Sequence, residues 1–137
     1  MKFSIDIKIR FADTDMLGHV NNSSYFTYIE EARIEFLRQV LGLDSVPLII
    51  ASAKVNFRAQ AYFGQTLEVE SWISRVGNSS FDVTSQIREK ETGQTVFDAV
   101  AVLVHFDYAS QASQPLPQVF LEKMQPYIEL ANEELYR

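Results

Sequence analysis

The sequence predicts an α+β domain in which one long helix packs against an antiparallel sheet. One strand-like segment comes before a single long helical segment, and four strand-like segments follow it. The connections between the later strands are short and rich in turn residues, such as "GNSS" at 77–80 and "ETGQ" at 91–94, so three successive hairpin-like connections are expected. The sequence has no repeating strand–helix–strand pattern, which argues against a doubly wound parallel sheet.

The first two elements follow from hydrophobic periodicity. Apolar side chains recur at every second position from Phe3 to Phe11, which predicts a strand with one buried face. From Tyr25 the apolar positions instead follow steps of three or four, and this predicts a helix over about Ser23 to Leu41. The residues 21–24, "NNSS", are all competent N-caps, and Gly42 is a plausible stop. The apolar stripe of the helix consists of Tyr25, Ile29, Ala32, Phe36 and Val40.

The rest of the chain predicts a sheet and a second helix. The segment "LIIASAKVNFRAQAYF" follows Pro47 and ends at Gly64, and "TLEVESWISRV" and "SFDVTSQIREK" alternate as half-buried strands do. The segment "TVFDAVAVLVHFDY" is apolar on both faces, as expected of a central, covered strand. After the linker "SQASQPLPQ", the tail "VFLEKMQPYIELANEELYR" has a helical period that Pro126 should kink or divide.

Composition narrows the classes of function. A chain of 137 residues fits one domain over 1–137. The net charge of -6 gives no general basic surface for nucleic acid or an anionic membrane. The chain has no cysteine, which excludes disulfides, thiolate metal sites and a cysteine nucleophile. Its first residues alternate instead of forming an apolar run, so we expect no signal peptide or anchor and predict a cytoplasmic protein.

The stretch "DTDMLGHVNNSSYFTYIEEAR" at 13–33 places polar groups at the predicted helix start. A calcium loop of the EF-hand type fails, because Leu17 and Ser24 occupy positions five and twelve where oxygen ligands are needed. An aspartyl phosphatase also uses an Asp-x-Asp motif, but it needs a parallel sheet and further acidic residues downstream, which this sequence pattern does not offer. A histidine metal site is improbable with two histidines in the chain, and the serines lack a Gly-x-Ser-x-Gly elbow. No metal is therefore expected.

A carboxylate held beside a helix N-terminus is the arrangement that remains. Unpaired N–H groups at a helix start form a positive pole that polarises an acyl carbonyl and stabilises an oxyanion. A nearby carboxylate can attack that carbonyl or activate water. Gly18 lets the backbone approach a ligand closely. The pattern favours acyl transfer to water without a metal or a bound cofactor.

The same stretch resembles the signature of the hotdog-fold acyl-CoA thioesterases of the 4-hydroxybenzoyl-CoA thioesterase family. The family carries Asp-x-Asp-x-x-Gly, a short hydrophobic link and a helix with Tyr-x-x-Tyr/Phe-x-Glu-x-Ala-Arg. The form "GHVNN" at 18–22 resembles a branch that includes the plant acyl-carrier-protein thioesterases. The strand–helix–four-strand order, "RVGNSSFDV" and "PLPQVFLEKM" extend the resemblance along the chain.

The resemblance implies a role for each matching residue. Asp15 matches the catalytic carboxylate, and His19 matches a histidine that the acyl-carrier-protein branch uses, although other branches work without it. Asn22 stands at the helix start whose backbone polarises the thioester, Asp13 resembles a scaffold residue and Glu31 the structural glutamate of the helix. The expected substrate contacts are Gly18, Val20, Ser23, Tyr25 and Arg58.

The resemblance therefore implies a hotdog domain, with a long central helix wrapped by an antiparallel sheet of about five strands and a C-terminal helix. The expected activity is hydrolysis of an acyl-CoA thioester by a homodimer or homotetramer with the acyl pocket between subunits. A non-catalytic acyl-CoA-binding module and an acyl-carrier-protein thioesterase stay open as alternatives. A hotdog hydratase is disfavoured, because its His-x-Asn-Pro-type segment is missing from the sequence.

Overall fold

The structure, a computed structural model, describes residues 1–42 and 47–130. Along the chain, the first strand is followed by one long helix, α1, and then by four long strands. A short strand and a short helix, α2, come last among the helices and strands of the described residues. Two 3-10 turns cover Phe11–Asp13 and Gln125–Tyr127. The elements in chain order are β1 Phe3–Lys8, α1 Asn22–Leu41, β2 Leu48–Phe57, β3 Thr66–Val76, β4 Ser80–Glu89, β5 Thr95–Asp107, β6 Ala112–Ser113 and α2 Gln118–Met124.

The strands described in residues 1–42 and 47–130 form one six-stranded antiparallel sheet in the order β1-β3-β4-β5-β2, with β6 paired to β5. The predicted α+β class is confirmed, and so are the two hairpins that join β3, β4 and β5. The prediction of a third hairpin between β2 and β3 is wrong, because β2 crosses to the far edge and pairs with β5. The connection at 58–65 does not close a hairpin. Its backbone groups instead form hydrogen bonds with the backbone of the 14–20 loop.

The helix α1 buries one face along its whole length, as its periodicity predicts. Ala32 and Phe36 at its centre are fully buried. The N-terminal half packs with the beginning of β3 and β5, and the C-terminal half packs with α2. Gly42 ends the helix with φ 70°, a left-handed conformation that glycine adopts without steric cost, so the predicted stop is confirmed.

Several predicted boundaries are wrong by a few residues. The first strand ends at Lys8, because the chain turns into the 3-10 segment and leaves Phe11 exposed. β2 ends at Phe57, well before Gly64. In the tail, α2 ends at Met124 and a 3-10 turn containing Pro126 follows, so the predicted division is confirmed. The predicted helical tail does not continue through 128–130, and its residues 131–137 lie outside the described residues. The single-domain span 1–137 stays a prediction.

The edge strand β2 is the most open part of the sheet. Its central residues 50–54 are exposed, and among them Ile50 is 49% exposed. Phe57 at its end is also exposed. β5 lies between β4 and β2, so the predicted central position of this apolar strand is confirmed. An unpaired edge with exposed apolar side chains is a surface that proteins commonly cover.

Candidate active site

A tight loop carries the acidic and histidine residues of the polar stretch. Thr14 and Val20 form an antiparallel bridge, and the N–H of Asp15 donates to the carbonyl of His19 over 3.0 Å. Gly18 closes the turn with φ 85°, and its N–H donates to the carbonyl of Asp15. A left-handed residue is needed here, which explains the glycine. The hairpin places Asp15 directly across from His19.

The side chains of Asp15 and His19 meet at the surface of this loop. Asp15 Oδ2 lies 3.2 Å from His19 Nε2, and the side chains are 32% and 25% exposed, respectively. Asp15 Oδ1 accepts the N–H of Leu17 over 2.8 Å, which fixes the carboxylate in one orientation. The site therefore presents an oriented, solvent-accessible carboxylate beside an imidazole.

Both ring nitrogens of His19 face oxygen atoms. Nε2 faces the Asp15 carboxylate, and Nδ1 lies 3.3 Å from the carbonyl oxygen of Val20. Each neutral tautomer can donate to one of these acceptors, whereas the imidazolium can donate to both. A proton moved to this imidazole during a reaction would thus be held by a hydrogen bond on each side.

The helix start lies next to this loop. Asn21 has the extended conformation of an N-cap (φ -61°, ψ 142°), but its side chain forms no capping hydrogen bond. Its N–H donates to the carbonyl of Asp13 over 2.8 Å, and the N–H of Ser24 donates back to Asn21. Among the described residues, the N–H groups of Asn22 and Ser23 find no hydrogen-bond acceptor. These exposed donors at the positive end of α1 are available to an acyl oxygen.

The buried residue Asp13 connects the loop to the start of α1. Its carboxylate is buried and accepts hydrogen bonds from the Arg10 backbone N–H, the Arg10 guanidinium and the Tyr28 hydroxyl, the last over 2.8 Å. Its backbone carbonyl accepts from the N–H of Asn21 and from Ser24 Oγ. One residue thus connects the end of β1, the loop and two turns of α1, which agrees with the expected scaffold role.

The charge of Asp13 is stabilised in the folded state. Burial by itself raises the pKa of Asp13, but the hydrogen bonds from Arg10 and Tyr28 outweigh it and hold the pKa below the ordinary value of 3.8. For Tyr28, burial and the hydrogen bond to the Asp13 carboxylate both raise the pKa, so the phenol stays protonated as the donor. The Asp13 carboxylate and the Tyr28 hydroxyl therefore act as a fixed acceptor and donor.

The segment Ala61–Phe63 forms a wall of the site that the sequence pattern did not reveal. The N–H of Val20 donates to the carbonyl of Ala61 over 2.8 Å, and Tyr62 bridges to His19. Phe63 is exposed and packs edge-on against Phe11, with ring centroids 5.8 Å apart. The motif "AYFG" at 61–64, aromatic residues before a glycine with φ 92°, was the available signal. Its pairing with 18–20 is long-range and leaves no periodic pattern.

The predicted site residues divide into two groups by position. Asp15, Gly18, His19, Asn22 and Ser23 lie together on the loop and at the helix start. The other three lie apart from this surface. Val20 and Tyr25 are buried in the core, with Tyr25 stacked on Phe97 at 5.1 Å, and the exposed Arg58 pairs with Asp98 at the end of β2.

The described residues offer neither a metal-binding cluster nor a membrane-spanning helix. In residues 1–42 and 47–130 no group of three or more metal-binding side chains comes together. Over the same residues, none of the helices combines the length and the apolar composition that a membrane span requires.

Comparison with known proteins gives consistent matches over most of the chain. The family model described as "Thioesterase-like superfamily" matches residues 9–124. The long-chain acyl-CoA thioesterase FadM of Escherichia coli is 26% identical over 127 residues, covering 89% of this chain and 96% of FadM. The 1,4-dihydroxy-2-naphthoyl-CoA hydrolase of Synechococcus elongatus is 29% identical over 133 residues, covering 89% of this chain and 91% of that protein.

A solved structure supports the fold. The Thermus thermophilus thioesterase complexed with coenzyme A and zinc superimposes with a TM-score of 0.81 at 25% identity, covering 90% of this chain and 92% of that one. The predicted hotdog fold, with one long helix wrapped by an antiparallel sheet, is confirmed.

We expect Asp13→Asn to destabilise the fold in a pH-dependent way. A carboxylate whose folded pKa is lowered stabilises the protein above its unfolded pKa, and this contribution is lost as the pH falls through the folded pKa. At neutral pH the variant should lose about 1–3 kcal/mol of unfolding free energy. The difference from the wild type should shrink below pH 3.8, the ordinary value for this carboxyl group.

Urea unfolding at several pH values and one protein concentration measures this loss. Asp6→Asn is the matched control, because Asp6 is 48% exposed and pairs with Lys90 at the surface; it should change stability little. Equal losses in the two variants, or a loss for Asp13→Asn that does not depend on pH, would contradict the assigned role.

Proposed function

Because the chain belongs to the thioesterase-like superfamily, we propose that it hydrolyses an acyl-CoA thioester to a free carboxylic acid and CoA. The observation that carries the proposal is the oriented Asp15 carboxylate, paired with His19 on a loop that ends at the open start of α1. A carboxylate, an imidazole and open N–H donors are the groups that acyl transfer to water requires. Membership of a thioesterase family agrees with the thioester hydrolase expected from the sequence.

The residues divide the reaction between them as follows. The thioester carbonyl lies on the exposed N–H groups of Asn22 and Ser23, where the helix pole stabilises the developing oxyanion. Asp15 either attacks the carbonyl carbon, which gives an acyl anhydride that water then hydrolyses, or removes a proton from the attacking water. In both routes the C–S bond breaks, and CoA leaves as the thiolate and takes up a proton. His19 contacts Asp15 Oδ2, the carboxylate oxygen that does not accept the N–H of Leu17. If the imidazole takes up a proton, it can donate hydrogen bonds both to Asp15 and to the carbonyl of Val20. Gly18 keeps the approach to this point open.

The substrate class follows from the relatives. FadM is named for long-chain acyl-CoA and the Synechococcus enzyme for an aromatic acyl-CoA, and the Thermus protein binds coenzyme A. These names agree on the CoA thioester and differ in the acyl group, so we propose the thioester alone. A panel of aliphatic and aromatic acyl-CoA substrates, with released thiol measured, identifies the acyl group. The cytoplasmic location stays a prediction.

Asp15→Asn should abolish most thioesterase activity and leave the fold intact. The amide can serve neither as a base nor as a nucleophile, and losing a general base lowers kcat by about 100- to 10,000-fold. The rate of thiol release from the best substrate of the panel measures the loss. Urea unfolding should show a stability close to that of the wild type, because the Asp15 side chain is one-third exposed. A variant with near wild-type kcat would show that Asp15 is not catalytic and would favour a binding module.

His19→Ala should lower kcat by about tenfold or more, because the imidazole orients Asp15 and can share its proton. The pH profile of kcat is the discriminating measurement, since removing the imidazole that faces the Asp15 carboxylate should also change the shape of the profile. Tyr108→Ala removes an exposed ring just after the end of β5, outside the candidate site, and serves as the control that should change neither kcat nor the profile. If His19→Ala kept full kcat and an unchanged profile, His19 would have only a structural role.

We further propose that the active unit is a homo-oligomer, a dimer or a tetramer. β2 is an edge strand with exposed Ile50 and Phe57, and Met16, Leu17 and Phe63 are exposed around the candidate site. A second copy that pairs along β2 would cover this edge and extend the sheet. In the resembled family the acyl pocket lies between subunits, which also explains why apolar groups surround a site that is open in a single chain.

Ile50→Glu should therefore weaken assembly and activity together. A charge at the exposed centre of β2 opposes edge-to-edge pairing. Light scattering at the assay concentration should show a dimer or tetramer for the wild type and smaller species for the variant. Val119→Glu, which places the same charge at an exposed position of α2, is the matched control and should keep the wild-type mass. A wild-type monomer with full activity would rule the proposal out.

A further inference from the structure

A cavity of about 490 Å³ opens on the outer face of the sheet, the face turned away from α1. The strand register identifies this face. Trp72 pairs with Thr84, Thr84 with Val100, and Val100 with Lys54, which gives one row across four strands. Alternate residues such as Val83 are buried on the opposite face. We refer to this space, with Lys2 and Arg58 at its rim, as the outer-face cavity.

The outer-face cavity is positively charged in an acidic protein. Its described lining residues include the cations Lys2, Lys54 and Arg58 and the carboxylate of Asp98. Asp98 accepts hydrogen bonds from Arg58 Nε and from the Asn56 side-chain amide, both over 2.8 Å, which leaves the terminal nitrogens of the Arg58 guanidinium for another acceptor. The chain as a whole carries a net charge of -6. A local excess of cations on such a surface favours an anionic ligand.

An aromatic wall and polar side chains complete the lining. Trp72 is partly buried, and Lys2 Nζ lies 4.5 Å from the centroid of its ring. Thr84 and Gln86 of β4 add polar side chains to the lining. A flat aromatic surface close to cations suits a nucleotide, because a base packs on the ring while phosphates meet the positive charges. The volume is that of a small-molecule pocket.

One short segment of chain connects a lining residue of the outer-face cavity to the candidate active site. Arg58 begins the connection from β2 to β3, and Tyr62 in the same connection bridges to His19. Four residues span at most about 14 Å. The rim of the cavity is thus close to the loop that carries Asp15. CoA joins its thioester to its nucleotide through the long, flexible pantetheine arm, so one substrate can reach both places.

We propose that the outer-face cavity binds the 3′-phosphorylated ADP end of the CoA substrate. Lys54 and Arg58 contact the phosphates and Trp72 supports the adenine. The proposal rests on the thioesterase function above and adds to it the residues that distinguish CoA from a thioester without a nucleotide. In a symmetric oligomer every protomer carries both the loop and the cavity, so a substitution in the cavity affects every site.

Two substrates with the same acyl group test the proposal: the acyl-CoA and the acyl-pantetheine, which lacks the nucleotide. Trp72→Ala and Lys54→Glu should each raise KM for acyl-CoA about fivefold or more. Both variants should leave kcat, and all constants for acyl-pantetheine, unchanged. Lys123→Glu on α2 makes the same charge change away from the cavity and should leave both KM values as in the wild type.

Titration calorimetry with adenosine 3′,5′-bisphosphate supplies a readout that needs no catalysis. The wild type and Lys123→Glu should bind it, and Trp72→Ala and Lys54→Glu should bind it several-fold more weakly. Unchanged KM ratios with unchanged bisphosphate binding would overturn the proposal. Equal KM increases for both substrates would also overturn it, since the effect would then be structural. If no thioester is hydrolysed but the bisphosphate binds in the cavity, the thioesterase function fails while the nucleotide site stands.

Discussion

The arrangement of the site depends on the buried carboxylate of Asp13. A buried charge is tolerated only when donors surround it, and here the donors come from Arg10, two residues after β1, and from Tyr28 in the second turn of α1. The backbone carbonyl of the same residue receives the N–H of Asn21 at the helix start. These contacts fix where the loop leaves the strand and where it enters the helix, so the positions of all residues between them follow.

The end of the 3-10 turn at Asp13, and the loop that begins after Thr14, separate the two acidic residues of the motif. Asp13 points into the protein, and two positions later the Asp15 side chain is 32% exposed beside His19. The carboxylate of Asp13 therefore forms structural hydrogen bonds, whereas the carboxylate of Asp15 stays accessible to a substrate. Both belong to the same three-residue pattern. The open N–H groups of α1 lie next to Asp15 because the carbonyl of Asp13 binds the residue that precedes them. The scaffold residue, the proposed catalytic carboxylate and the proposed oxyanion donors are thus parts of one local unit.

The connection at 58–65 links this unit to the rest of the sheet. Because β2 lies on the far edge, beside β5, the chain must pass along the end of the sheet to reach β3, and it crosses the loop on the way. Its aromatic residues stay exposed at the site, while Arg58 stands at the rim of the outer-face cavity. The same crossing leaves β2 unpaired on one side. The position of one strand therefore explains both the wall of the candidate site and the unpaired edge of β2.

The sequence by itself determined the elements that depend on neighbouring residues. Helix periodicity and the left-handed Gly42 located α1 to within one residue at its start, and the motif located the loop, the glycine turn and the two carboxylates. These features are local, since caps, turns and side-chain periods involve residues a few positions apart. Only the tertiary structure decided that β2 pairs with β5, that Ala61–Phe63 borders His19, and that Val20 is buried. Those outcomes depend on backbone hydrogen bonds and packing between distant segments, which no local period records.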